Sequence, residues 1–218
     1  ILNVSSLDIS TLSGIEDFDS LENLICNSNN LVSLDVSNNT NLKTLLCAFN
    51  QLSNIDISAN TNLEDLDCSN NQITALNASN NLSLKDLRCS NNRILTLDIN
   101  QNAELTFLSV SSNRLNSLDV TNTINLESLY CASNQISALN LSANTYLKVL
   151  DVSNNSISNL DLSTINTVGC PEPQTDPITL CQGTSSINVS NNQLTSLNAP
   201  NATTLDCQIN KLTSLNAP

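Results

Sequence analysis

Histidine, tryptophan and methionine are absent from this 218-residue chain, and glycine occurs three times, at Gly14, Gly169 and Gly183. Without histidine there is no Ser-His-Asp arrangement and no imidazole metal ligand. With so few glycines no loop can cradle a phosphate through its backbone, and no cofactor is expected. Basic residues are also scarce: 7 Lys and Arg stand against 20 Asp and Glu, for a formal charge of -13. No basic cluster is present to neutralise phosphates, so neither nucleic acid nor an anionic membrane surface is an expected partner. No apolar run approaches the roughly 18 residues of a membrane span, and direct membrane insertion is not expected. The start carries no charged-then-apolar leader. The chain opens at Ile1 and stops at Pro218 within a repeat, which reads as a processed product or part of a longer chain or assembly. The apolar Leu212 and Leu215 near that end are expected to form a contact surface.

What the sequence has in abundance is one phrase. Cys26, Cys47, Cys68, Cys89, Val110, Cys131, Val152, Val189 and Cys207 fall on one beat, and the first seven are 21 residues apart. Around each lies L-x-x-L-x-C-x-x-N-x-L-x-x-L-D-(V/I/L)-S, with two similar halves per repeat. Apolar alternation within L-x-C and L-D-I has the period of a short half-buried strand, and no stretch sustains the helical period. The expected fold is an all-β-rich solenoid with two short parallel strands per 21-residue coil, neighbouring strands lying about 4.8 Å apart. Six or so inward side chains cannot offset the entropy of ordering one coil, so stability must come from stacking coil on coil.

Cysteine is then the small apolar residue that fits the inward beat of a narrow core. Its exchange for valine at Val110, Val152 and Val189 suits packing and does not suit a nucleophile or metal ligand. Reduced, buried thiols are expected, because side chains in register on parallel strands point side by side. The asparagines three positions on, Asn29, Asn50, Asn71, Asn92, Asn113, Asn134 and Asn155, continued by Asn192 and Asn210, are read as structural. So is a second column at Asn39, Asn60, Asn81, Asn102 and Asn144. Both are expected to take left-handed backbone conformations and to satisfy corner N–H and C=O groups.

These residues resemble the leucine-rich repeats, specifically the short bacterial class sometimes called IRREKO, whose unit looks like LxxLxCxxNxLxxLDLxxxxx. The resemblance runs from about Leu21 to Pro218. The lead-in "SLDISTLSGIEDFDSLENL" is similar to the first repeat of internalin-type proteins, with "GIEDFDSL" as a helical or 3-10 cap. This divides the chain into a capping segment over residues 1–19 and a solenoid over 20–218. The resemblance implies a right-handed superhelix, extracellular or on a bacterial cell surface, that binds macromolecules on its first-strand face and brings no catalytic residues. The valines, an insertion over residues 167–182 and the 18-residue coil from Val189 to Cys207 depart from the pattern.

The insertion "TVGCPEPQTDPITLCQ" holds the only two cysteines off the column, Cys170 and Cys181. Closing a loop of this size with a disulfide stabilises by about 3 kcal/mol in the chain-entropy model. A bridge between these two is expected, and with it an oxidising compartment. A loop with two free thiols is the alternative.

Recognition is expected at outward positions that vary between coils. The two outward columns of the first strand read Asn23, Thr44, Asp65, Asp86, Phe107, Ser128, Val149 and Ile25, Leu46, Asp67, Arg88, Ser109, Tyr130, Asp151. Two of the five aromatic residues of the chain fall here, beside the one arginine of these columns. Aromatic and arginine anchors in a polar surround are interface composition. The candidate ligand-binding patch is Asp65, Asp67, Asp86, Arg88, Phe107 and Tyr130, against the alternative of a variable solvated face. The second strand carries an acidic column at Asp35, Asp56, Asp98, Asp119 and Asp161. Asn77, Asn140, Asn198 and Asn216 share its register, which favours a hydrogen-bonding ladder over a calcium site.

The leading functional expectation is a non-enzymatic binding module for a protein or glycan. The alternative is a spacer or adhesin stalk that displays other domains. An ice-binding surface lacks the long Thr-x-Thr array it would need. Catalysis by a pair such as Asp65 and Asp67 would need shifted pKa values, and a flat exposed sheet is not expected to supply them.

Overall fold

The computed structural model describes residues 1–165, 186–199 and 202–217. Its main feature is one ten-stranded parallel sheet built almost entirely from three-residue strands. The strands are β1 (Leu2–Asn3), β2 (Asn23–Ile25), β3 (Thr44–Leu46), β4 (Asp65–Asp67), β5 (Leu76–Asn77), β6 (Asp86–Arg88), β7 (Leu97–Asp98), β8 (Phe107–Ser109), β9 (Ser128–Tyr130), β10 (Val149–Asp151), β11 (Ser186–Asn188), β12 (Ser196–Asn198), β13 (Thr204–Asp206) and β14 (Ser214–Asn216). The ten run β1-β2-β3-β4-β6-β8-β9-β10-β11-β13, each one coil from the next. Because Leu45 faces Leu66 and Leu66 faces Leu87, a step of one repeat is a step of one strand, and every column of the sequence is a column in space.

The middle leucine of each strand points inward and is buried from Leu24 to Leu150. Cys26, Cys47, Cys68, Cys89 and Cys131 lie beside this file as free, buried thiols, with Val110, Val152 and Val189 in the same place. Burial pushes the Cys26 and Cys89 thiols up to about 12 and raises Cys47 and Cys68 well above the ordinary thiol value. Cys207, in the last coil, is only partly buried. Cys170 and Cys181, with the whole of the insertion over residues 167–182, lie outside the described residues.

The second face is less regular than two continuous sheets would require. Among the described residues only β5 with β7 and β12 with β14 pair there, with one bridge from Asp161 to Asn198. Elsewhere its backbone is secured locally. Asp35, Asp56, Asp119 and Asp161 each accept the N–H two residues on, at 2.9 to 3.0 Å. Hydrogen bonding by the hydroxyl and N–H of that Ser or Thr, the hydroxyl foremost at Asp56 and Asp119, holds their carboxyls below the usual range. Asn77 and Asn140 make the same bond without charge, so the column asks for an acceptor oxygen and not for an anion.

The asparagine column joins successive coils. Asn71 Nδ2 donates to the Cys47 and Cys68 carbonyls at 3.1 Å, while its Oδ1 accepts from Leu52 N at 2.9 Å. The same set recurs at Asn50, Asn92, Asn113, Asn134 and Asn155. One expectation is corrected here: these asparagines do not supply the left-handed turn. Positive φ falls on the preceding residue, at Ser28, Phe49, Asn70, Asn91, Ser112, Ser133, Asn154, Asn191 and Ile209, and the ladder amide bonds the carbonyls that the turn exposes. Nor is the second asparagine column left-handed. Asn60 Nδ2 donates to the Val36 and Asn39 carbonyls, and its Oδ1 is buried without a partner.

At the start of the chain β1 pairs with β2 and extends the sheet. A 3-10 turn at Ile15–Asp17, entered through Gly14 at φ 94°, buries Ile15 on the core. In the last described coil Leu212 is partly buried against the core and Leu215 is half exposed.

Candidate functional site

The strand pairing sets the outward residues in two files. One runs Thr44, Asp65, Asp86, Phe107, Ser128, Val149, and the other Leu46, Asp67, Arg88, Ser109, Tyr130, Asp151. All six candidate patch residues therefore share the outer face of β4, β6, β8 and β9. Arg88 and Tyr130 occupy the second file on either side of Ser109, and Phe107 stands in the first file beside that gap. Diagonal neighbours on adjacent strands are within reach of long and aromatic side chains. The Arg88 guanidinium lies 4.6 Å from the Phe107 ring centroid. Phe107 in turn meets Tyr130 with centroids 5.5 Å apart and planes tilted by 40°. A cation-π contact thus continues into an aromatic pair, both geometries being favourable.

Asp86 fixes one end of this stack. Its carboxylate receives Arg88 Nε at 2.9 Å and Nη2 at 2.8 Å, a bidentate pairing that holds the guanidinium flat. Asp67 accepts from Ser69 N at 3.0 Å, which settles its own rotamer. The Asp65 N–H donates to the Lys43 carbonyl at 3.0 Å, while its carboxylate has no hydrogen-bond partner among the described residues. Partial burial raises its pKa, aided by Asp86 and Asp67 and opposed by Arg88. This corrects the expectation at Asp65: the side chain is only partly exposed on β4, and that burial disfavours its charged form. The face carries three carboxylates against one guanidinium, an excess of negative charge around an apolar centre.

Sequence reasoning named the patch residues but not their stacking. The signal lay in the spacing: Phe107 follows Arg88 by 19 positions and precedes Tyr130 by 23, one repeat less two and one repeat plus two. It also missed Phe49, an exposed aromatic held at φ 55° where most coils place Ser or Asn. Among the described residues no group of three or more acidic or thiol side chains is set to hold a metal ion, and no helix is long and apolar enough to cross a membrane.

The profile for leucine-rich repeats, in two copies, matches residues 40–81. The chain has the fold of the leucine-rich repeat solenoids. It is similar to the functional domain of InlJ from Listeria monocytogenes, described as including a cysteine ladder, with 30% identity over 99% of this chain and 52% of that one, at a TM-score of 0.67. It is also similar in fold to internalin C2 from the same organism, with 24% identity over 75% and 76% of the two chains and a TM-score of 0.70. A leucine-rich repeat protein of Leptospira interrogans shares the fold at 21% identity over 94% and 62%, with a TM-score of 0.62. The chain thus spans about half the length of the InlJ domain and less than two thirds of the Leptospira protein. It matches no curated protein sequence.

Proposed function

We propose that this solenoid is a non-enzymatic binding module, extracellular or on a bacterial cell surface, that takes a protein partner on the outer face of β4, β6, β8 and β9. The observation that carries this reading is the Arg88, Phe107 and Tyr130 stack set among Asp65, Asp67 and Asp86. Aromatic and arginine anchors at the centre of a polar surround are where binding energy concentrates. The partly desolvated, unpartnered Asp65 carboxylate and the net charge of -13 favour a partner presenting basic side chains around an apolar contact. The reading as a scaffold without catalysis rests on the leucine-rich repeats and on the open form of the face. The extracellular placement rests on the family resemblance and on the expected bridge between Cys170 and Cys181.

The test is a binding screen of the chain against a library of extracellular proteins, beside a variant carrying Arg88→Ala, Phe107→Ala and Tyr130→Ala whose folding is checked by circular dichroism. A partner should emerge whose affinity falls roughly 30-fold or more at an anchor, the effect of losing a contact worth about 2 kcal/mol. Binding should weaken with added salt. It should also weaken as the pH falls toward the raised Asp65 pKa, because a basic partner favours the ionised carboxylate. A partner retained equally by the folded variant would place recognition elsewhere. No partner for either protein would favour a spacer.

A further inference from the structure

The position just before each first strand reads Glu22, Lys43, Glu64, Lys85, Thr106, Glu127 and Lys148. These side chains pair from coil to coil along the rim of the sheet: Lys43 with Glu22 at 3.0 Å, Lys85 with Glu64 at 2.6 Å and Lys148 with Glu127 at 2.8 Å. Thr106 interrupts the series. Its hydroxyl donates to the Lys85 carbonyl at 3.2 Å, and no long side chain covers that step of the rim. What remains is an open recess of about 360 Å³ lined by Lys85, Glu104, Thr106, Asn125, Glu127 and Tyr146.

The lining is mixed in a way that selects a ligand class. Tyr146 presents an exposed ring, with 61% of the residue accessible. Glu104 has no ion-pair or hydrogen-bond partner among the described residues. Asn125 Nδ2 is engaged by the Ala103 carbonyl at 3.1 Å, which leaves its Oδ1 as an acceptor. Lys85, whose ammonium is already held by Glu64 and is attracted by Glu104, has further N–H donors to offer. A cationic ligand would meet Lys85, and an anionic ligand would meet Glu104 and Glu127. A neutral molecule with one apolar face and a rim of hydroxyls that both donate and accept satisfies the ring, the carboxylate, the amide and the ammonium together. A pyranose has that form, and the volume falls at the lower end of small-ligand sites.

We propose that this rim recess binds a neutral pyranose unit of a glycan, its C–H face against Tyr146 and its hydroxyls on Glu104, Asn125 and Lys85. The site shares no residue with the protein-binding patch, so either reading can fail without the other.

The chain lacks tryptophan and has two tyrosines, so in a Tyr130→Phe background tyrosine emission reports on position 146 alone. That protein is titrated with neutral methyl glycosides and disaccharides of glucose, galactose, mannose and N-acetylglucosamine, with lysine amide and sulfate as charged comparisons. At least one sugar should give a saturable change with a Kd on the order of millimolar. Thr106→Arg, which fills the recess while keeping its polar lining, and Glu104→Ala should each weaken the response by about tenfold or more. Asp119→Asn, on the opposite face, should leave it unchanged. The proposal is overturned if no sugar saturates, if lysine amide or sulfate saturates instead, or if the response survives Thr106→Arg in a folded protein.

Discussion

Raising the pH above 9 should unfold this solenoid through its cysteine column. Burial lifts the Cys26 and Cys89 thiols from the ordinary 9.0 to about 12, and Cys47 and Cys68 also lie well above that value. A group whose pKa is higher folded than unfolded contributes stability that is complete below its unfolded pKa and is lost as the pH rises through its folded one. The window here is therefore pH 9 to 12. Within it each pH unit costs about 1 to 1.5 kcal/mol per thiol, because the unfolded chain releases a proton that the folded chain retains. The chain itself supplies the control, since valine already fills this column at Val110 and Val152. A variant with Cys47→Val, Cys68→Val and Cys89→Val should have an unfolding free energy that falls less between pH 7 and 10, by roughly 3 to 4.5 kcal/mol for the three thiols. Urea unfolding followed by circular dichroism, with reductant present throughout, measures the difference. Lysine and tyrosine titration and the remaining cysteines are common to both proteins, and any repacking cost is common to both pH values, so all of them cancel in the difference. Parallel losses of stability in the two proteins would refute the reasoning.

Phe49 is exposed and held at φ 55°, a conformation that costs a residue with a Cβ about 1 to 2 kcal/mol. Asparagine occupies the same position at Asn70 and Asn91, so Phe49→Asn should stabilise the chain by about 1 kcal/mol in urea unfolding; a loss of stability would show that the ring makes contacts outweighing the strain. The two asparagine columns should respond differently to substitution. Asn71→Ala leaves the buried Leu52 N–H without a partner and takes one hydrogen bond from each of the Cys47, Cys68 and Ser69 carbonyls, which keep those from Asn50 Nδ2, Asn92 Nδ2 and Phe49 N. It should cost about 2 to 3 kcal/mol, chiefly the about 1 to 3 kcal/mol of a buried group left unsatisfied. Asn102→Thr should cost under about 1 kcal/mol, because Thr123 already serves in that column by donating to Val120 O at 2.9 Å. Equal costs would contradict this division of roles.

The architecture was legible because one repeat in sequence equals one strand in space. The cysteine and valine exchange then identified the packing file without coordinates, and the 19 and 23 residue offsets around Phe107 encoded the diagonal stack. Other features left no such trace. The left-handed corner falls on residues as different as Ser28, Phe49, Asn70 and Ile209, so residue type misdirects, and the invariant neighbour is the asparagine that bonds around the corner. The Asp65 shift depends on how deeply neighbouring strands and side chains bury it. On the second face, bonds made two residues away leave the same alternation as a paired strand.

The two candidate sites were hard to read for a common reason: each depends on a side chain that is short. Ser109 stands between Arg88 and Tyr130 in its file, and the Phe107 ring meets both across that space. Thr106 stands where other coils place Glu or Lys, and the rim opens beside Tyr146. Both short residues belong to one coil and flank Phe107. In a stack whose constant positions are occupied by packing and corner bonding, a ligand-sized feature arises only where neighbouring columns fail to repeat, and the coil around residues 104–109 is where two of them fail together. Thr106→Arg and Ser109→Leu should therefore separate the functions, the first closing the rim and the second displacing the ring that joins Arg88 to Tyr130. If Ser109→Leu left partner binding unchanged while Phe107→Ala abolished it, the ring would be acting alone and the stack would not be the recognition unit.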